Sequence, residues 1–78
     1  MKRLRGAVNI LSRPFPGREL LTPRERVTLI QIVRGDSNKE AARTLGVSPR
    51  TVEFHRANIM RKLGVKNTAD LMRKVLAE

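Results

Sequence analysis

Seventeen consecutive residues, Ser48 to Gly64, carry a helix start at one end and a helix stop at the other. Ser48 is an N-cap type, and Pro49 follows at the first helical position, where a missing N–H is no loss. Gly64 is the residue that most readily closes a helix. The same punctuation stands twice earlier. Thr22-Pro23-Arg24-Glu25 and Ser37-Asn38-Lys39-Glu40 are both capping boxes: a hydroxyl covers an orphan N–H, and a glutamate three residues on reaches back. Gly35 and Gly46 close the runs that follow. Gly46-Val47 then leads directly to Ser48, which is the short turn of a helix-turn-helix. A fourth helix begins near Asn67, with Asp70 placed as its capping partner. No strand signal interrupts this pattern. The expected fold is all-α, a four-helix bundle that contains a helix-turn-helix.

Periodicity sorts each helix into sides. In the first, Leu29, Ile32 and Val33 recur at helical spacing, Ile30 widens the apolar face, and Leu21 before the cap is placed to staple onto Arg26 or Val27. In the second, Ala41, Ala42 and Leu45 make a narrow face whose small side chains let another helix come close. In the third, at about 100° per residue, Val52, Ile59 and Leu63 share one side. Arg50, Glu53, Phe54, Ala57 and Arg61 share the other. That second side is expected to be exposed, basic at both ends, with an isolated phenylalanine in it. In the fourth, Leu71 and Val75 point inward, while Ala69, Met72, Arg73 and Leu76 offer a partly apolar second face.

The 78 residues suffice for one modest core, so a partner or a bound polyanion would matter to stability. Seventeen Lys and Arg against seven Asp and Glu give a net charge of +10. A small chain that repels itself this strongly is most economically explained by a polyanionic partner. With only Phe15 and Phe54 as aromatics, the stacking platforms of single-strand recognition are missing, and so are the bulky anchors of a membrane-surface helix. No apolar run approaches the ~20 residues that span a bilayer. There is no cysteine and a single histidine, His55, so no disulfide, no metal site and no catalytic constellation is implied. Residues 1–19 read as a basic, flexible N-terminal arm. It carries Lys2, Arg3, Arg5, Arg13 and Arg18, and Arg13-Pro14-Phe15-Pro16-Gly17 breaks any helix within it.

Leu21-Thr22-Pro23-Arg24-Glu25-Arg26, Ser37-Asn38-Lys39-Glu40-Ala41-Ala42, Leu45-Gly46 and the whole of Ser48 to Gly64 together resemble the LuxR/FixJ/NarL-type DNA-binding domain. The resemblance runs without a gap over nearly everything after the arm and is strongest to the FixJ-like branch. It implies a domain spanning 20–78, the second and third helices forming the helix-turn-helix, and the third, Pro49 to Leu63, entering the major groove of double-stranded DNA. Carried over by position, Glu53, Phe54 and Ala57 would meet base edges. Lys39, Arg50, Thr51, His55 and Arg61 would contact phosphates. Ala69, Arg73 and Leu76 would form a dimer face on the fourth helix; Arg73 stands where some members have an apolar residue. The expected protein is a bacterial, cytoplasmic, nucleoid-associated transcriptional regulator with no cofactor and no enzymatic activity, here as a stand-alone effector domain. The rival reading is a module that pairs through its fourth helix with a full-length relative and antagonises it.

Individual residues keep a blander reading beside this one. Phenylalanine usually packs in a core, but the helical angle sets Phe54 opposite Val52 and Ile59. Glu53 either accepts from a cytosine amino group or orients a neighbouring arginine. Thr51 contacts phosphate or supports the cap of its own helix. His55 packs, with a hydrogen bond to phosphate or backbone. Arg61 and Lys62 complement the helix dipole at its C-terminal end.

Overall fold

In the computed structural model residues 15–76 are described. A short 3-10 helix, Arg18–Leu20, leads into α1 (Pro23–Val33), α2 (Asn38–Leu45), α3 (Pro49–Leu63) and α4 (Thr68–Leu76), and the described residues contain no strand. The architecture is the expected all-helical one.

Both capping boxes close. The Glu25 N–H donates to Thr22 Oγ1 at 3.2 Å, and the Thr22 N–H donates to Glu25 Oε1 at 2.9 Å. In α2 the matching bonds, Glu40 N–H to Ser37 Oγ and Ser37 N–H to Glu40 Oε1, are 3.1 and 2.8 Å. Ser48 caps α3 through the Thr51 N–H at 3.1 Å. At α4 Asn67 Oδ1 accepts the Asp70 N–H at 2.8 Å. The Asp70 carboxylate faces Arg73 instead, at 3.5 Å.

The turn between α2 and α3 depends on Gly46, whose φ of +70° is left-handed and costs a residue with a Cβ about 1–2 kcal/mol. That conformation swings the chain so that the Val47 N–H reaches back to the Ala42 carbonyl at 3.0 Å, covering one of the open carbonyls at the end of α2.

Two apolar clusters hold the helices. The larger joins Phe15, Leu21, Leu29, Ile32, Ile59, Leu63, Leu71 and Val75. The smaller joins Ala41, Ala42 and Val52, with Val47 against it. α3 belongs to both: Val52 serves the small cluster, Ile59 and Leu63 the large one. The alanines bring α2 close to α3, as the sequence suggests; a larger residue there would force the pair apart.

The expected boundary at residue 20 moves. Phe15 is buried and packs in the main core, and Gly17 sits over Leu63 with φ +88°. A Cβ on Gly17 would collide with the Leu63 side chain. The folded unit therefore includes 15–19, which the proline- and glycine-rich composition marks as arm. Pro16 ends helices, yet it does not prevent a turn, closed by the Arg18 N–H on the Phe15 carbonyl at 3.1 Å, from laying a phenylalanine on a core. The earlier part of the expected arm, residues 1–14, lies outside the described residues.

Candidate nucleic-acid interface

At ~1.5 Å rise per residue, the 15 residues of α3 make a rod of roughly 22 Å. With side chains its diameter of about 10–12 Å matches a major groove about 12 Å wide. Its two sides are cleanly divided. Val52, Ile59 and Leu63 are all at most 2% exposed. Arg50, Glu53, Phe54, Ala57 and Arg61 are all exposed. Phe54 is 63% exposed, the largest value among the exposed large apolar residues.

The remaining site residues fall around this strip. Glu53 makes no ion pair with any described residue, so the alternative of a glutamate that orients a neighbouring arginine finds no partner here. The Arg61 guanidinium donates to Asn58 Oδ1 at 2.8 Å, which holds its fork against the helix surface. Thr51 is half-buried, and its hydroxyl lies 3.0 Å from that of Ser48. It is therefore part of its own helix cap, whatever else it meets. Lys39 is exposed in the first turn of α2.

His55 stands on the flank of α3. Its ring meets that of Phe54 edge-on, with centroids 5.7 Å apart. Its Nδ1 is buried and has no hydrogen-bond partner among the described residues. An orphaned lone pair is easier to bury than an orphaned N–H, so the cheaper tautomer keeps the proton on Nε2. The side chain then offers one donor outward.

Several basic residues are diverted from the wet side. Lys62 donates to Glu25 Oε1 at 2.7 Å, the same oxygen that accepts the Thr22 N–H. Burial pushes the Glu25 carboxyl up, but the Lys62 ammonium and the Thr22 hydrogen bonds outweigh it and hold the group below its ordinary value. Lys62 thus clamps the C-terminal end of α3 to the start of α1; it does more than complement the helix dipole. Arg56 donates to Thr68 Oγ1. Lys74 donates to the Leu63 carbonyl at 2.6 Å and covers the end of α3 from α4. None of these ties was expected from the sequence. The only local signal was angular: Arg56 and Lys62 lie off the strip that carries Phe54.

On α4, Ala69, Met72, Arg73 and Leu76 line one shallow groove. Leu76 is exposed, and the Arg73 side chain extends into solvent beside Asp70. The described residues hold no cluster of His, Cys, Asp or Glu fit for a metal ion, and no helix among them is long and apolar enough to cross a membrane.

Residues 19–75 match the family described as bacterial regulatory proteins, luxR family. The chain is 53% identical over 60 residues to the transcriptional regulatory protein MctR of Rhizobium johnstonii, a stretch covering 77% of the chain and 28% of that protein. It is 49% identical over 55 residues to the transcriptional regulatory protein UhpA of Escherichia coli, covering 70% and 28%. It is 48% identical over 59 residues to the transcriptional regulatory protein FixJ of Rhizobium meliloti, covering 76% and 29%. The chain therefore spans less than a third of the length of these relatives. No solved structure matches it.

Proposed function

The chain belongs to the LuxR family of bacterial regulatory proteins, whose helix-turn-helix domain binds DNA, and from that premise we propose that it is a sequence-specific transcriptional regulator that lays α3 in the major groove of duplex DNA. The observation that carries this reading is Phe54, an aromatic ring 63% exposed at the middle of a basic helix face whose other side is core. Exposing such a ring costs solvation free energy unless it has a partner. A thymine methyl in the major groove is a partner of the right shape and polarity.

The division of labour follows from the chemistry of each side chain. Phe54 and Ala57 supply apolar contact to base edges, and Glu53, lacking an ion-pair partner, accepts from a cytosine amino group. Arg50 and Arg61, at the two ends of the strip, bond to phosphates of the strands that flank the groove. Lys39 adds a phosphate contact from the first turn of α2, and Thr51 and the His55 Nε2–H add weaker ones. Most of the affinity is electrostatic and so falls steeply with salt. The positions of these contacts set register, while the middle of α3 sets sequence. Two copies pair through the face of Ala69, Arg73 and Leu76 and read a two-fold symmetric site. Such a protein works in the cytoplasm, where the DNA is, and needs no cofactor and no catalytic group.

Selection of bound duplexes from a randomised pool tests this reading. Enrichment of one motif, with two-fold related half-sites, is expected. Equal binding to random duplexes and to structured RNA at matched salt would sink it.

A further inference from the structure

A second concave surface lies away from the face of α3 that carries Phe54. It is a cleft of about 360 Å³ between the first turns of α1 and the turn of the helix-turn-helix. Pro23, Val27, Leu45 and Val47 give it an apolar floor and wall, and Arg24 and His55 give it donors. Val27 is 42% exposed although it sits in the middle of α1. Arg24 is exposed and makes no ion pair with any described residue. His55 is about 100° round the helix from Phe54, on the flank of α3 that faces α1. Residues that fill the cleft would therefore not compete with base contacts from the middle of α3.

An apolar hollow rimmed by unpaired donors is the pattern of a protein docking site. Charge decides among its occupants. A second copy of this chain brings a net +10. The chain's own N-terminal residues, as occupant, would bring the charges of Lys2, Arg3, Arg5 and Arg13. Both are like-charged with the rim. We propose that this cleft docks an acidic segment of another protein, one that places aliphatic side chains on Val27, Leu45 and Val47 and a carboxylate on Arg24. The proposal goes beyond DNA recognition and does not depend on it.

The probe is a soluble amphipathic peptide with leucines at helical spacing and glutamates between them, titrated into the full 78-residue chain. Methyl NMR signals of Val27, Leu45 and Val47 are followed, with and without bound duplex. Saturable shifts at these three residues are expected in both cases. Replacing the glutamates by glutamine, or the leucines by serine, should abolish them. Val27→Ser and Arg24→Gln should each weaken the peptide by about tenfold, the loss typical of an interface anchor, while Arg24→Lys retains most of the binding. All three variants should keep duplex affinity within about twofold, since neither Arg24 nor Val27 is among the base or phosphate contacts proposed above. Shifts that appear instead at Phe54 or Leu76, equal binding of the glutamine peptide, or variants that bind the peptide as well as the parent would overturn the proposal. So would shifts at the cleft that grow with protein concentration alone, which would make a second copy the occupant. Loss of duplex binding with cleft binding intact would instead strike at the functional reading above.

Discussion

On its inner side α3 presents Val52, Ile59 and Leu63, each essentially closed to solvent; on its outer side, a few ångströms away, it presents Glu53, Phe54 and Ala57, all open. The inner side is fixed by many partners. Ile59 and Leu63 meet apolar residues from α1, α4 and the segment before α1, and Lys62 adds a bond to Glu25. The outer side has almost no partner within the described residues. The same helix is thus held rigidly from behind and left vacant in front. A side chain that reads a base must be positioned without being occupied, and this arrangement satisfies both conditions.

The comparison breaks most sharply at Ile59. Ile59→Ala removes a residue with no exposure at all and leaves a cavity between helices, so unfolding free energy should fall by about 2–5 kcal/mol in denaturant titration. Base preference of the remaining folded fraction should not change. If stability held and specificity shifted, the inner side would not be the structural one.

Gly17→Ala comes next. It combines a left-handed backbone with a collision against Leu63, so a loss of at least about 1–2 kcal/mol is expected. A neutral outcome would mean that the segment ahead of α1 does not brace the C-terminal end of α3.

Glu25→Gln should cost roughly 1–3 kcal/mol near neutral pH, because Lys62 loses a charged acceptor while the cap keeps a weaker one. Its pH dependence has a definite sign. The Glu25 carboxyl is held below its ordinary value, so its contribution is complete above the unfolded-state value of about 4.3 and disappears as pH falls through the lower folded-state value. Glu40, whose bonds to Ser37 also hold it down, titrates in the same direction. Thermal melts across this acid range should therefore differ between the parent and Glu25→Gln by a shallower slope in the variant. Parallel curves would contradict the clamp.

Smaller effects are expected in front. Phe54→Ala should leave stability within about 0.5 kcal/mol, as for other exposed positions, yet narrow the gap between specific and random duplexes by about 1 kcal/mol, the low end for a base-edge contact. Lys39→Ala should weaken all duplexes alike and reduce the salt slope by about one unit. Equal losses on specific and random DNA for both changes would erase the distinction between reading and positioning.

Much of this was legible in the sequence because helix ends and helix sides are local properties. The capping boxes at Thr22 and Ser37 form bonds within four residues, and they close as their spacing requires. Phe54 lies opposite Ile59 because the helical angle allows nothing else. Phe15 is less legible: Pro14 and Pro16 mark an irregular segment, and an irregular segment carries no local sign of whether it packs on a core. Lys62 is less legible still, since its partner is 37 residues away.

The sequence by itself determined where helices start and stop, which side of each is apolar, and the charge that calls for a polyanion, because these depend on neighbours along the chain. Only the tertiary structure decided which basic residues remain free for that polyanion and which are spent on holding the fold, as Arg56, Lys62 and Lys74 are. It also decided that α1 and the turn enclose a cleft. Those outcomes depend on which helix ends meet in space, and no local pattern encodes that meeting.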